Sequence, residues 1–196
     1  MKRQHTLSVP ETKLTALPAL FSGTEAAKHG LNRAALKRLC DTGLIVRLEN
    51  GVFKKENFEI DPEMEEYAIA CAKMGPDSYI AGLTALSFHS LLNFVPKNIW
   101  VAAGKNKRSS NYRVIRSEVD MQGVEIVENL VRMAGVERAL VDAFRYSTKM
   151  TLEHCFLAAG RAFKSGLSSP AKVLSLARKL SLEKFILKHW EALNVE

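Results

Sequence analysis

Near the N-terminus, three signals that start or stop a helix follow one another at short intervals. Ser22, with Glu25 three residues later, forms a capping box and predicts the start of a helix. Gly30 can take the left-handed conformation that ends a helix, and Asn32 is a favoured N-cap for a second one. The second helix is predicted to run to about Asp41. This part of the chain is therefore expected to fold as two short helices joined by a tight turn.

A β-hairpin is predicted directly after the second helix. Residues 44–48 have the composition of a strand, Glu49-Asn50-Gly51 is a hairpin turn of the Asn-Gly kind, and residues 52–55 form the returning strand. The order of elements is therefore a helix, a turn, a second helix and a two-stranded ribbon.

A further helix is predicted upstream, over about residues 13–21. Leu14, Leu17 and Leu20 would lie on one side of it and complete a three-helix core, although Pro18 leaves the limits of this helix open.

The second helix has one apolar and one basic side. Leu36, Leu39 and Cys40 are predicted to face the core. Arg33 and Lys37 are four residues apart, so they point outward together. The helix therefore presents cations to whatever lies outside it.

Positive charge is concentrated in this segment. The chain of 196 residues has a formal net charge of +7 at pH 7, and residues 28–55 hold seven basic residues against two acidic ones. Such a patch attracts polyphosphate, and the release of counterions makes its binding favourable. A solvated basic face with no ligand is the alternative that this charge run leaves open.

A helix fits the major groove of duplex DNA, and a two-stranded ribbon can rest on the neighbouring backbone. We therefore predict a winged helix-turn-helix domain in which the second helix contacts base edges and the hairpin contacts phosphates. A winged helix used only for contacts with another protein remains the alternative. The predicted DNA-binding residues are Thr24, Asn32, Arg33, Lys37, Arg38, Arg47, Asn50 and Lys54.

A second unit is predicted to begin at Asp61-Pro62, where an N-cap precedes a proline at the first helical position. Strand-like runs follow that are separated by turns rather than helices, which predicts a mainly antiparallel sheet. The predicted fold class is α+β, with a winged helix-turn-helix domain over residues 1–58 and a mixed α/β domain over residues 62–196. The predicted elements of the second domain are strands at 79–81, 99–103, 112–115, 124–127 and 130–133, a helix at 83–92, and four closing helices at about 136–144, 152–163, 170–180 and 182–193.

The second domain has its own basic window between two predicted strands. This window contains no acidic residue, so a contact with nucleic acid or with an acidic partner competes with a solvated loop as its interpretation. The basic residues of the window are Lys105, Lys107, Arg108, Arg113 and Arg116.

No enzyme or metal site can be assembled from the sequence. The three cysteines are widely spaced among apolar neighbours, and no paired-carboxylate or Ser-His-Asp arrangement stands out. Arg138 and Asp142, four residues apart, are expected to pair along a helix. We expect no catalytic residue, no metal and no cofactor. No apolar run approaches the ~20 residues of a membrane span and no secretion signal is evident, so we expect no membrane partner and a cytoplasmic location.

Four segments in order resemble the AbiE-type abortive-infection antitoxin family. They are residues 1–58, which include the helical pattern of residues 24–53, then YIAGLTALSFHSLL (79–92), NIWVAA (98–103) and VERALVDAFR (136–145). The resemblance covers most of the chain, and the two helices after Ser169 match nothing in it. Many winged helices share the N-terminal pattern, so the order of all four segments carries the resemblance.

The resemblance implies a transcriptional regulator of a type IV toxin-antitoxin system of phage defence. In that family a winged-helix domain represses its own operon by binding operator DNA, here expected to contain inverted repeats. A C-terminal α/β domain counteracts a nucleotidyltransferase-like toxin encoded beside it, and direct contact between the two proteins is left open. The other interpretations are a regulator unrelated to a toxin, a protein-binding adaptor, and a nuclease with its active site in the second domain.

Overall fold

A computed structural model of the chain describes residues 9–104, 109–116 and 120–193. It forms two compact units, which divide between Pro76 and Asp77. The predicted boundary at residues 58–62 lies earlier, because the helix Pro62–Met74 packs on the strands Leu20–Ser22 and Val52–Lys55 and so belongs to the first unit. Because the apolar side of this helix is buried in the first unit, the boundary between the units lies after the helix and not before it. Each unit is described separately below.

In its described residues, the first unit combines four helices with a three-stranded antiparallel sheet in the order β1-β3-β2. This arrangement confirms the second predicted helix and both strands of the hairpin. Its described elements are α1 (Val9–Thr15), β1 (Leu20–Ser22), α2 (Gly23–Lys28), α3 (Arg33–Asp41), β2 (Ile45–Glu49), β3 (Val52–Lys55) and α4 (Pro62–Met74).

The upstream helix was predicted wrongly over residues 13–21. The helix α1 ends at Thr15, ahead of Pro18, and Leu20–Ser22 instead forms β1, which pairs with β3. Proline lacks the N–H that a helix interior needs, so the chain after it is free to join the sheet. The ring of Phe21 then stacks on Phe53, with centroids 5.9 Å apart.

The predicted helix caps are present. The Ser22 hydroxyl accepts a hydrogen bond from the backbone N–H of Glu25 at 3.1 Å, and the Asn32 side-chain oxygen accepts one from the N–H of Ala35 at 2.9 Å. Gly30 lies just past α2 with φ +72°, which a glycine adopts without strain. These caps fix the angle at which α3 leaves the turn. The core beneath them consists of Leu14, Leu17, Phe21, Ala26, Leu31, Leu36, Leu39, Ile45 and Phe53.

The second unit is built on a five-stranded mixed sheet in the order β6-β5-β4-β8-β7. The predicted strand positions are confirmed to within two residues, but the pairing in this sheet is not mainly antiparallel. The pairs β4–β5 and β7–β8 are antiparallel, whereas β4–β8 and β5–β6 are parallel. The strands are β4 (Ser78–Ile80), β5 (Ile99–Ala103), β6 (Tyr112–Arg116), β7 (Val124–Val127) and β8 (Val131–Ala134).

Seven described helices accompany this sheet. The predicted helix over residues 83–92 ends at Phe88, and the last predicted helix is divided into two short ones at Lys188–His189. No helix in the described ranges is both long and apolar enough to cross a bilayer. The helices are α5 (Gly82–Phe88), α6 (Val136–Arg145), α7 (Ser147–Met150), α8 (Leu152–Lys164), α9 (Pro170–Lys179), α10 (Glu183–Leu187) and α11 (Trp190–Leu193).

A buried polar network ties α6 to the sheet. Arg138 and Asp142 pair along the helix as predicted, but both side chains are only 1% exposed. The Tyr79 hydroxyl donates to Asp142 at 2.8 Å, and the guanidinium of Arg138 donates to the Tyr79 oxygen at 2.6 Å. Arg138 also donates to the backbone oxygens of Asp120 and Gln122 at 2.8 and 2.7 Å. This network satisfies a charge pair that would otherwise be costly to bury.

Burial changes the pKa of two groups in this network. Removal from water raises the pKa of the Tyr79 hydroxyl, and the neighbouring Asp142 raises it further, so the hydroxyl stays protonated and donates. Burial also raises the pKa of the Asp142 carboxyl, while Arg138 opposes that shift by attracting the charged form.

Candidate nucleic-acid interface

An open groove of about 1060 Å³ lies between α3 and the β2–β3 hairpin of the first unit. Three of the described residues that line it are basic and none is acidic, and several of the others are small. Five predicted DNA-binding residues meet here: Asn32, Arg33, Lys37, Arg47 and Asn50.

The helix α3 provides one wall of this groove. Leu36 and Leu39 are buried as predicted, and Cys40 packs against the same core. Because these positions fix the rotation of the helix, Arg33 and Lys37 are exposed one turn apart and both line the groove. The helix therefore presents two cations on the side that faces the hairpin.

The hairpin provides the opposite wall. A guanidinium nitrogen of Arg47 donates to the side-chain oxygen of Asn50 at 2.6 Å, across the turn. Gly51 has φ +83°, and the strand pairing is irregular between Arg47 and Glu49. Bulges of this kind re-aim side chains, and the hydrogen bond holds the Arg47 guanidinium beside the turn.

Two acidic residues of the first unit, Glu49 and Glu25, are paired with cations that do not line the groove. Glu49 at the end of β2 forms an ion pair with Lys73 of α4. Glu25 pairs with Lys28 at 2.8 Å, and that hydrogen bond lowers the pKa of the Glu25 carboxyl. Sequence spacing gave no sign of the first pair, because its partners are far apart along the chain. The pair with Lys73 offsets the charge of Glu49, the acidic residue of the hairpin.

Three of the predicted DNA-binding residues lie outside the groove. Lys54 is half-buried in the central strand, and its ammonium group donates to the backbone oxygen of Phe58 at 2.9 Å. Thr24 and Arg38 are exposed but do not line the groove. The predicted set also lacked four small residues that line the groove, Gly23, Ala27, Ala34 and Gly51.

Loss of the α3 cap should destabilise the first unit measurably. We expect Asn32→Ala to lower the free energy of unfolding by about 1 kcal/mol, because the N–H of Ala35 loses its side-chain acceptor. Chemical denaturation of the full chain measures this. The exposed Thr24→Ala serves as the matched control and should change stability by no more than about 0.5 kcal/mol. Equal effects of the two substitutions would contradict the capping role.

The predicted basic window of the second unit is described only in part. Lys105, Lys107 and Arg108 lie outside the described residues. The guanidinium of Arg113 lies over the ring of Trp100, 5.6 Å from its centroid, and its side chain is exposed. Arg116 is the last residue of β6.

In the described ranges, no group of three or more His, Cys, Asp or Glu side chains is placed to hold a metal ion. The thiol of Cys155 is buried and donates to the backbone oxygen of Ala143 at 3.2 Å. Burial raises its pKa to about 12, which keeps it protonated and unreactive at neutral pH.

The chain matches no protein-family model and no curated protein. Among solved structures it is similar to the crystal structure of the RV2827C protein from Mycobacterium tuberculosis. The TM-score is 0.45 and the sequence identity is 15%, and the match covers 92% of this chain and 78% of that one. At this level of similarity the likeness assigns no function.

Proposed function

We propose that the first unit is a winged helix-turn-helix domain that binds duplex DNA, and that the protein is a transcriptional repressor. The observation that carries this proposal is the groove between α3 and the hairpin. Arg33 and Lys37 line one wall, Arg47 lines the other, and no acidic residue is among the described lining residues.

The dimensions of α3 suit the major groove. An α-helix with its side chains is about 10–12 Å wide, close to the width of about 12 Å of the major groove of B-DNA. Arg33 and Lys37 then approach base edges or the phosphates that border them. Arg38, exposed beside them, contacts the backbone at the groove edge.

The hairpin supports this orientation through Arg47. Its guanidinium is already held by Asn50, so less conformational freedom is lost when it meets a phosphate. Lys54 is engaged by a backbone oxygen of its own unit and so contributes less than we inferred from the sequence.

Three alanine variants of the full chain test this assignment. Lys37→Ala and Arg47→Ala should each weaken binding to a short duplex, by roughly 1–3 kcal/mol where the side chain contacts a base edge. Lys54→Ala should weaken it less than either. Fluorescence anisotropy with a labelled duplex measures the three affinities. If Lys54→Ala has the largest effect, the hairpin approaches DNA by its other face and the assignment is wrong.

The resemblance to AbiE-type antitoxins extends the proposal to the second unit. We propose that this non-enzymatic protein represses its own operon at inverted repeats and counteracts a nucleotidyltransferase-like toxin. In support, the last three resembling segments form connected parts of the second unit: β4 pairs with β5, and α5 packs on α6. The basic window containing Arg113 is the proposed antitoxin surface.

A further inference from the structure

A long part of the second unit contains no negative charge. From Ser78 to Ser117 the sequence has no Asp or Glu, while it has six Lys or Arg residues. Asp and Glu make up 21 of the 196 residues of the chain, so about four of them would be expected in a run of 40 residues. In the described part of this segment, Lys97 and Arg113 are exposed cations with no acidic residue near them in the sequence, which favours an anionic ligand.

A pocket of about 340 Å³ opens on this surface. Leu83, Pro96 and the ring of Trp100 give it apolar walls, and Lys97 and Arg113 add two cations. Both cations are exposed, and the Arg113 guanidinium lies over the Trp100 ring. The pocket is at the small end of the range for ligand sites, about 300–1,000 Å³, so it suits one ring system rather than a folded surface.

Two exposed apolar side chains that also line the pocket come from the loop after α5. Phe94 is 40% exposed and Val95 is 88% exposed. The loop is tied down, because the Ser87 hydroxyl donates to the Phe94 backbone oxygen at 2.6 Å and Arg161 donates to the Asn93 side-chain oxygen at 2.7 Å. Large apolar groups that are held in water in this way mark interaction sites.

We propose that this pocket binds an unpaired base of single-stranded nucleic acid, with the flanking phosphates on Lys97 and Arg113. A base within a duplex is stacked and paired and could not enter such a pocket, so the geometry selects single strands. The Phe94 ring stacks on the base, and the Asn98 amide, which also lines the pocket, meets its polar edge.

An acidic protein segment is the competing ligand for these cations. It would satisfy Lys97 and Arg113, but it would have no specific use for an exposed aromatic face beside a pocket of one-ring size. Every nucleobase has a π-face, and stacking contributes to single-strand affinity whatever the sequence. Aromatic and cationic groups together therefore favour nucleic acid.

The single-strand site lies on a different unit from the proposed duplex site, and so the two proposals can fail separately. The test uses the full chain carrying Arg33→Ala, Lys37→Ala and Arg38→Ala, which removes the cations of α3. Binding of a labelled oligo-uridylate and of a labelled polyglutamate peptide is measured by fluorescence anisotropy. We expect the oligo-uridylate to bind with an affinity that falls as salt is added.

In this background, Phe94→Ala should weaken binding of the oligo-uridylate by roughly 5- to 150-fold, the range for loss of one stacked base. Lys97→Glu with Arg113→Glu should weaken it by at least about tenfold. The matched control, Lys172→Glu with Arg178→Glu, makes the same charge change at exposed positions of α9 and should have less than about a threefold effect.

Thermal unfolding of each variant confirms that the second unit is folded. If the Lys97/Arg113 and Lys172/Arg178 variants lose affinity for the oligo-uridylate equally, the attraction is non-specific and the proposed binding site is wrong. If polyglutamate binds tightly and Phe94→Ala does not change its affinity, the ligand of this surface is an acidic protein segment instead. The absence of any oligo-uridylate binding by the background chain would also overturn the proposal.

Discussion

Asp142→Ala should lower the free energy of unfolding by about 3–5 kcal/mol, the largest stability effect that we expect in this protein. The substitution leaves the Arg138 guanidinium in the interior with its countercharge removed, and the Tyr79 hydroxyl loses its acceptor. Both groups are nearly inaccessible to water, so solvent cannot replace the lost carboxylate. Chemical denaturation, monitored in the second unit, measures the loss.

The exposed pair Glu25 and Lys28 provides the matched control for this prediction. It has a similar spacing on a helix, but its side chains reach solvent, so Glu25→Ala should cost less than about 1 kcal/mol. Tyr79→Phe should lower the free energy of unfolding by about 1–3 kcal/mol, more than Glu25→Ala and less than Asp142→Ala, because it leaves the buried Asp142 carboxylate with one donor fewer. A cost below about 1 kcal/mol for Asp142→Ala would show that the network does not hold α6 on the sheet.

Replacing Arg33, Lys37 and Arg38 together by alanine should abolish repression and weaken duplex binding at least about 100-fold. All three side chains are exposed on α3, and their removal takes away every Arg and Lys of that helix. The buried positions Leu36 and Leu39 are untouched, so the fold of the first unit should persist. Reporter repression and anisotropy measure the two losses.

The same triple variant tests whether the two activities are separable. With the antitoxin expressed from an independent promoter, we expect the variant to protect cells in which the cognate toxin is induced, because the proposed protective surface lies on the second unit. Thermal unfolding must first show that the variant is folded. Loss of protection by a folded variant would contradict separable activities.

A second variant tests the antitoxin surface on the second unit. Full protection by a variant without Lys105, Lys107, Arg108 and Arg113 would exclude the basic window as the antitoxin surface.

Local signals in the sequence predicted the turn, α3 and the hairpin of the first unit. The caps at Ser22 and Asn32 depend only on residues three positions away, and the rotation of α3 follows from the spacing of Leu36 and Leu39. Gly51 marks the hairpin turn for the same reason, since its backbone conformation is set locally. The two walls of the groove could therefore be predicted from the sequence.

Features that depend on distant contacts could not be predicted in this way. Nothing near Lys54 in the sequence shows that its ammonium group bonds to Phe58, and the pair of Glu49 and Lys73 joins a strand to a later helix. The parallel pairing of β5 and β6 was missed because an eight-residue connection is shorter than the usual crossover of a dozen or more residues. Pockets of the second unit depend on loops whose course the sequence pattern does not fix.

Duplex binding by α3 and the hairpin, through Arg33, Lys37 and Arg47, is the main property that we propose for this protein. The most direct test is a titration of a short labelled duplex with the full chain, repeated at several salt concentrations. For roughly four to six phosphate contacts, the plot of log affinity against log salt should have a slope of about −4 to −5. The Arg33/Lys37/Arg38 triple alanine variant should have a slope shallower by about 0.9 for each of these side chains that contacts a phosphate, and so by up to about 2.7. An affinity that does not change with salt, or equal slopes for the two proteins, would contradict the claim.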